Sequence, residues 1–316
     1  MQLIFIVILG AVLGFAYGLE NYGFVFSSKI CLFAGITLIM PSLFKFKLRD
    51  IKLVWLHKNI LIKGFLVNFI ALPLIAIGVG LLTHDFGIAM GLFLISTLSG
   101  GGMVMHWIKK SGGDTSFGFL LLFINLVSIS LSLLMLHNLA LYSAEYFEAS
   151  YGVEHNMSRY ANIVLILLIL IPFVVSRFVI LVQPIVDLIE KYRKYISNVS
   201  IFVILFYLFG LQSSQNLVDL YDFEPELFGY AFVAVVAFYA GVTTVSFLAY
   251  DLKSPQQIAT FWHSITRYLT LGLVISSFSL NTFGVSMLLP IMFAYLIQIP
   301  LSTYLDSRFF NKSDLS

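Results

Sequence analysis

The 316-residue sequence has few charged residues and one cysteine. Asp, Glu, Lys and Arg make up 11% of the chain, whereas soluble domains carry about 25%. With Cys31 alone, the chain can form neither an internal disulfide nor a multi-cysteine metal site. The net charge of +2 is too small to indicate a nucleic-acid partner. The sequence also lacks a GxxxxGKS or GxxxxGKT motif, so we expect no nucleotide partner.

Hydrophobic residues make up 59% of the chain and recur in long apolar runs. Because a run of about 20 apolar residues spans the lipid bilayer, the sequence predicts an all-α integral membrane protein. The first run has no basic segment before it and no small-residue cleavage site, which favours a retained span over a signal peptide. The ten predicted spans are residues 2–19, 24–44, 60–82, 87–108, 117–141, 160–180, 197–213, 228–249, 257–280 and 283–305.

The basic residues are distributed unevenly between the two sides of the predicted spans. Fifteen of the eighteen Lys and Arg residues lie on one side, whereas the opposite loops are acidic and carry only Arg159. Lys and Arg near span ends are retained in the cytoplasm, so this distribution places both termini there. We expect the protein in the inner (plasma) membrane of a bacterium.

The longest outer connection, residues 144–159, divides the chain into two sets of five spans. The sets are residues 1–143 and 160–310, and residues 311–316 form a cytoplasmic tail. An odd number of spans per set predicts inverted repeats, a common plan of secondary carriers.

Two spans at matching positions in the two sets are irregular. Span four contains Gly100, Gly101 and Gly102, and span nine is the most polar of the ten. A broken helix in lipid frees backbone groups at a cost of several kcal/mol each, so neighbouring protein, a ligand or water must satisfy them. We therefore predict breaks and a binding site at spans four and nine, with the half-helix near Met103 offering N–H groups to an anion.

Residues from about 30 to 310 resemble the bile acid:sodium symporter superfamily, and within it most closely the arsenite efflux carriers. The segments that carry the resemblance occur in the family's order and read MPSLFKFKLRDIK, NFIALPL, GLFLISTLSGGGMVMHWIKKSGGD and LIQIPL. The resemblance implies that helices four and nine are broken and cross. It also implies a core domain and a panel domain, each drawn from both repeats, that move relative to one another.

The sequence departs from this family at the positions that bind its substrates and ions. The arsenite carriers use a cysteine and a glutamate, and the matching positions here are Gly100 and Leu269. Because a soft metalloid needs a thiolate ligand, arsenite transport is disfavoured. The positions that match the polar ion-site residues of the sodium-coupled members are Val104, Met105, Trp262 and Thr266. No Asp or Glu lies inside a predicted span, and Na⁺ is left open as a partner.

Arg267 lies near the middle of span nine, where a charge costs from a few to more than ten kcal/mol. Three interpretations stay open. Arg267 binds a carboxylate or sulfonate of the substrate, its fixed charge replaces a bound sodium ion, or it holds carbonyl groups freed by the broken helices. The predicted substrate-binding set is Arg267, Ser99, Gly100, Gly101, Gly102, Thr266, Ser264, Asn68 and Gln298.

Other polar residues in the spans are candidates for coupling or for lining a cavity. His106 and His263 lie toward the cytoplasmic ends of spans four and nine and are candidates for a pH-dependent step, or for interfacial hydrogen bonds. The candidate cavity-lining residues are Ser96, Thr97, Asn125, Ser128, Thr270 and Lys29. The alternatives are that the hydroxyls bond back to their own helix and that Lys29 extends toward the membrane surface.

These features predict a secondary active transporter that moves a small organic anion by alternating access around helices four and nine. The alternatives are a sodium-coupled bile-acid-type symporter, a metalloid efflux carrier, and a non-transporting receptor with a carrier fold. No span carries a Ser or Cys nucleophile with a paired base, or a His/Asp metal set, so we expect no enzyme activity. We expect no cofactor and no metal site.

Overall fold

The computed structural model describes residues 2–25, 27, 29–44, 56–101, 103–151 and 165–310. Four predicted features lie outside the described residues: Gly102, the basic connection at 45–55, the second half of the outer connection (152–159) and the tail at 311–316. The described residues are helical throughout, apart from turns and two isolated β-bridges. The helices are α1 (Gln2–Glu20), α2 (Lys29–Ala34), α3 (Met40–Leu43), α4 (Lys58–Leu66), α5 (Leu72–Leu81), α6 (Phe86–Thr97), α7 (Val104–Lys110), α8 (Thr115–Val127), α9 (Ile129–Ser143), α10 (Ile171–Val179), α11 (Gln183–Phe209), α12 (Gln212–Phe223), α13 (Glu226–Ala249), α14 (Pro255–Ile265), α15 (Leu269–Phe283) and α16 (Leu288–Phe309).

Three helical segments are long and apolar enough to cross a membrane by themselves, namely Lys58–Leu81, Glu226–Ala249 and Val285–Phe309. Two bent pairs also qualify within the described residues. α8 and α9 meet at 45°, and α10 and α11 meet at 117°. The chain is therefore an all-helical membrane protein with three to five apolar spans by this measure. The count of ten and the inverted repeats stay predictions.

Three helical segments contain a π-helical turn that ends two positions before a proline. The turns are Gly35–Ile39, Val67–Ala71 and Leu165–Leu170, and they precede Pro41, Pro73 and Pro172. Proline has no N–H group, and its ring clashes with the carbonyl four residues earlier. A wider π turn moves that carbonyl away and lets the helix continue. The second of these turns contains Asn68, a predicted site residue.

Helix α11 begins earlier than the sequence predicts. We expected a connection up to residue 196, whereas the helix begins at Gln183 with Pro184 in its first turn and continues to Phe209. The predicted connection contains the pairs Asp187/Lys191 and Glu190/Lys194, each spaced by four residues. Such pairs favour a helix at a polar surface, which explains why the helix extends beyond the apolar segment.

The helices pack in two groups. In the first group α1 lies along α11, and the π turn Gly35–Ile39 contacts α11 and the π turn Leu165–Leu170. A Cβ atom at Gly14 would overlap the carbonyl oxygen of Phe206, so glycine is what lets α1 and α11 approach this closely. In the second group α5, α13 and α16 pack around α6 and the helices α14 and α15. The candidate site lies within the second group, at the face toward the first.

Candidate functional site

Two helices are interrupted where the sequence predicts. α6 ends at Thr97 and α7 begins at Val104, while α14 ends at Ile265 and α15 begins at Leu269. The extended residues between the halves cross as an antiparallel bridge that pairs Ser99 with Arg267. The predicted breaks in spans four and nine are therefore present, and they meet.

The backbone of each break satisfies the backbone of the other. The Gly100 N–H donates to the Thr266 carbonyl at 2.8 Å, and the Tyr268 N–H donates to the Leu98 carbonyl at 2.8 Å. The first amide of α7, that of Val104, donates to the Gly101 carbonyl at 2.9 Å. These bonds remove much of the cost of breaking two helices in an apolar environment. The two bonds between the segments are equivalent. Each runs from the residue after one bridge partner to the residue before the other.

The glycines allow this crossing to form. Gly100 has φ +76°, a backbone conformation that favours glycine, and a Cβ atom there would overlap Nδ1 of His263. A Cβ atom at Gly101 would lie 2.6 Å from the Arg267 carbonyl oxygen. Gly100, which we expected to correspond to the cysteine of the arsenite carriers, therefore has no room for a side chain.

Arg267 is buried at the crossing, with 1% of its surface exposed. Its Nη1 donates to the Ser96 carbonyl at 3.0 Å. Its Nη2 donates to Asn68 Oδ1 at 3.0 Å and also to the Ser264 carbonyl. Nε is buried and has no hydrogen-bond partner in the described protein.

No carboxylate of the described residues forms an ion pair with Arg267. The three oxygens around its guanidinium are two backbone carbonyls and one side-chain amide, all formally neutral. The crossing therefore carries a buried positive charge that no carboxylate of the described part of the chain opposes.

Gln298 holds the backbone of Arg267 in place. Its Oε1 accepts from the Arg267 N–H at 2.6 Å, and its Nε2 donates to the Arg267 carbonyl at 3.3 Å. The Tyr239 hydroxyl donates to the same Oε1 at 2.8 Å, and the Tyr250 hydroxyl is 3.0 Å from Ser264 Oγ. Sequence reasoning missed Tyr239 and Tyr250. The chain has 16 tyrosines, and nothing in the sequence marks these two.

His263 lies in a fully connected polar cluster. Its Nε2 is 3.0 Å from the Gly118 carbonyl oxygen, and its Nδ1 is 3.1 Å from Nδ2 of Asn125. The Asn125 amide also donates to Ser99 Oγ, which donates to the His263 carbonyl at 2.8 Å. The carbonyl acceptor and the amide donor together fit a neutral imidazole with its proton on Nε2. A role in coupling stays a prediction.

His106 occupies a different environment from His263. His106 is exposed and lies edge-on to its neighbour Trp107, whereas His263 has no exposed surface. No hydrogen bond or ring contact joins the two histidines among the described side chains. The predicted approach of these two rings is therefore not observed in this conformation.

The remaining predicted residues differ in what their side chains contact. Ser96, Thr97, Thr266 and Ser128 each donate their hydroxyl to a carbonyl of their own helix. Thr270 instead lies 2.7 Å from the Tyr295 hydroxyl, on another helix. Lys29 is exposed at the start of α2.

Two small cavities lie between the crossing and the π turn Gly35–Ile39. Leu38, Ile39 and Tyr268 line both cavities, Gly101 lines one and Thr270 lines the other. Each has a volume of about 10 Å³, about the room that one water molecule needs. Neither cavity has room for an organic solute, which would need a rearrangement to bind there.

A buried carboxylate lies directly after the last predicted span. The span was expected to end at residue 305, whereas α16 continues to Phe309 and buries Asp306 to 1% exposure. Its Oδ1 accepts from Ser111 Oγ at 3.0 Å, and Lys110 Nζ lies 2.5 Å from Oδ2. Trp262 Nε1 donates to Ser111 Oγ at 2.9 Å, which connects this ion pair to α14.

Replacing Lys110 by methionine is expected to lower stability by roughly 1–3 kcal/mol, because it leaves the Asp306 carboxylate buried and unpaired. Lys109→Met is the matched control, since Lys109 is the exposed neighbouring lysine. Thermal unfolding in detergent measures the difference. Adding Asp306→Asn to Lys110→Met should recover part of the loss, and equal losses in the two lysine variants would contradict this account.

At Trp262, which we expected to correspond to an ion-site residue of the sodium-coupled carriers, the structure has a packed aromatic ring. Trp262 has no exposed surface and stacks on Trp107, with 5.4 Å between the ring centroids. Val104 is also fully buried. Neither side chain offers the oxygen ligand that a hard cation prefers.

An all-helical membrane protein in which two broken helices cross at a buried polar cluster has the architecture of a secondary carrier. The Sodium Bile acid symporter family matches residues 31–218, which is more than half of the chain, and the protein belongs to this family. It is a transporter of the bile acid or arsenite carrier type, a family of transporters rather than enzymes. No curated protein matches the chain. The family match includes Asn68, Ser96 and Ser99 and ends before α14 and Arg267.

Proposed function

We propose that this protein is a secondary carrier of a small organic anion and that it works by alternating access around the crossing of α6–α7 and α14–α15. The observation that carries this proposal is the buried guanidinium of Arg267, which has no carboxylate partner among the described residues and whose Nε has no protein partner. An uncompensated positive charge at membrane depth is costly, and an anionic solute lowers that cost when it binds.

The helix ends at the crossing do not change the sign of this charge. Two helices, α6 and α14, end there with about half a negative charge each, while α7 and α15 begin there with about half a positive charge each. These contributions cancel in pairs, so the formal charge of Arg267 leaves the crossing positive. Its Nη atoms are bonded to protein oxygens, so the solute is attracted mainly by the field and by the remaining Nε–H.

The surroundings of the two small cavities favour a solute with an apolar part. Leu38, Ile39 and Tyr268 face both cavities, and Met105 and Leu126 face one. These cavities separate the crossing from the π turn Gly35–Ile39 of the first helix group. In the proposed cycle the first group, as panel, moves against the second, as core, and this movement widens the boundary.

The test uses purified protein and a panel of benzoate, hexanesulfonate and taurocholate, each beside an uncharged analogue. We expect an anion of this panel to raise the melting temperature, since a ligand of the folded state stabilises it by mass action. A radiolabelled form of the anion that stabilises the protein should then exchange with unlabelled anion across the membrane of liposomes that contain the protein. Protein-free liposomes and the uncharged analogue are the controls.

Three results would contradict the proposal. Binding without exchange would indicate a receptor with a carrier fold. Equal exchange of the uncharged analogue would remove the role of the buried charge. No stabilisation and no exchange for any of the three anions would exclude this class of substrate.

A further inference from the structure

We propose that the guanidinium of Arg267 is a tethered cation that permanently fills an oxygen-lined cation site, so that this carrier needs no Na⁺. The inference rests on the proposed function for its transport measurement only. The cation site itself is defined by the contacts of Arg267 and can be tested without any solute.

The site is built from the ends of two helices. Ser96 lies in the last turn of α6 and Ser264 lies in the last turn of α14, and the carbonyl oxygens of both accept from the Arg267 guanidinium. The carboxyl end of a helix carries about half a negative charge, which attracts a cation. Both helix ends present their partial negative charge to the guanidinium, while the beginnings of α7 and α15 offset that charge in the crossing as a whole.

A third oxygen completes the set. Asn68 Oδ1 accepts from Nη2 at 3.0 Å, and its Nδ2 donates to the Gly64 carbonyl at 2.9 Å. This second bond orients the amide so that its oxygen faces the guanidinium. Carbonyl and amide oxygens are ligands of hard cations, and rings of backbone carbonyls alone bind K⁺ in channels. The side chain of Arg267 therefore occupies the place at which a free cation would bind.

Attachment to the chain explains how the site stays filled. The Arg267 backbone is fixed by Gln298 on both its N–H and its carbonyl. A cation held by the chain does not dissociate during the transport cycle, so its charge is not carried across the membrane with the solute. The carrier would then exchange anions or follow their gradient, independent of a sodium gradient.

The first arm of the test needs only the wild-type protein. Its melting temperature is measured while Na⁺ replaces choline at constant ionic strength, and anion exchange is measured under the same conditions. We expect neither quantity to change. A rise in melting temperature with Na⁺, or exchange that requires Na⁺, would overturn the proposal. Failure of exchange with and without Na⁺ would instead count against the proposed function.

The second arm removes the tethered cation. Arg267→Ala is expected to melt at a lower temperature and to be restabilised by added guanidinium ion at millimolar concentration. At ten times its dissociation constant the ion would raise the folding equilibrium constant about 11-fold. Urea at the same concentrations is the matched control, because it has a similar shape and no charge. Adding Asn68→Ala to Arg267→Ala should weaken the response to guanidinium.

Two outcomes of the second arm would overturn the proposal. The first is a folded Arg267→Ala protein that responds to neither guanidinium nor Na⁺, and the second is equal stabilisation by urea. If Arg267→Ala does not fold, Arg267→Lys takes its place. A tethered ammonium should keep the fold and the insensitivity to Na⁺, and gain of a Na⁺ response in that variant would also count against the idea.

Discussion

Replacing Gly100 by alanine is expected to abolish the folded carrier. The backbone at Gly100 has φ +76°, which costs a residue with a side chain about 1–2 kcal/mol. The added Cβ would also overlap Nδ1 of His263. This ring cannot move aside freely, because the Gly118 carbonyl and the Asn125 amide hold its two nitrogens. We expect a severe loss of monodisperse protein in detergent and no anion exchange.

Gly112 provides a matched control for this substitution. It has φ +73°, but a Cβ atom there would have no neighbour within 4 Å. Gly112→Ala therefore has the backbone strain without the overlap, and we expect a loss of only about 1 kcal/mol. His263→Ala in the Gly100→Ala background should restore part of the yield. Equal effects at Gly100 and Gly112 would show that backbone strain alone accounts for the loss.

Replacing Gln298 by leucine should cause the second large effect. The change leaves two buried groups without their partner, namely the Arg267 N–H and the Tyr239 hydroxyl. It also removes one of two donors to the Arg267 carbonyl, which keeps the Leu269 N–H at 3.0 Å. Each unsatisfied buried group costs about 1–3 kcal/mol. We expect a fall of several kcal/mol in stability and a loss of anion exchange, since the guanidinium depends on this backbone for its position.

Two variants test the assignment of this loss to Gln298. Tyr239→Phe removes one donor and leaves both bonds between Gln298 and the Arg267 backbone, so its effect should be clearly smaller. Thr303→Val lies on the exposed face of the same helix and should change stability by less than about 0.5 kcal/mol. Melting temperature and anion exchange are measured for all three variants. A Gln298→Leu protein as stable as Thr303→Val would contradict the role given to Gln298.

The main features of the crossing could be predicted because they depend on residues that are rare in a helix that faces lipid. Three consecutive glycines and an arginine near mid-membrane have few structural reasons to occur there. The same reasoning selected Asn68 and Gln298, and both contact Arg267. Their part in binding a solute stays a prediction.

The partners of these residues could not be predicted. Whether Tyr239 or another tyrosine meets Gln298 depends on the rotation and height of α13 against α16, and neither is set by local sequence. The burial of Asp306 was missed for a related reason. Hydropathy ends the predicted span at residue 305, whereas the helix continues for another turn and packs its carboxylate against Ser111. Hydropathy alone does not report such satisfied polar contacts.

The π turns before the prolines affect how this sequence compares with its relatives. A π turn holds one residue more than an α turn of the same helix. Each residue advances an α-helix by about 100°, so the insertion rotates everything on one side of the turn relative to the other. Consider a relative that lacks Pro73 and has a regular α-helix here. Its residue on the same helix face as Asn68 aligns with Asn68 only if the alignment has a one-residue gap between 67 and 71. An ungapped alignment would assign Asn68 to a side chain on another face of that helix.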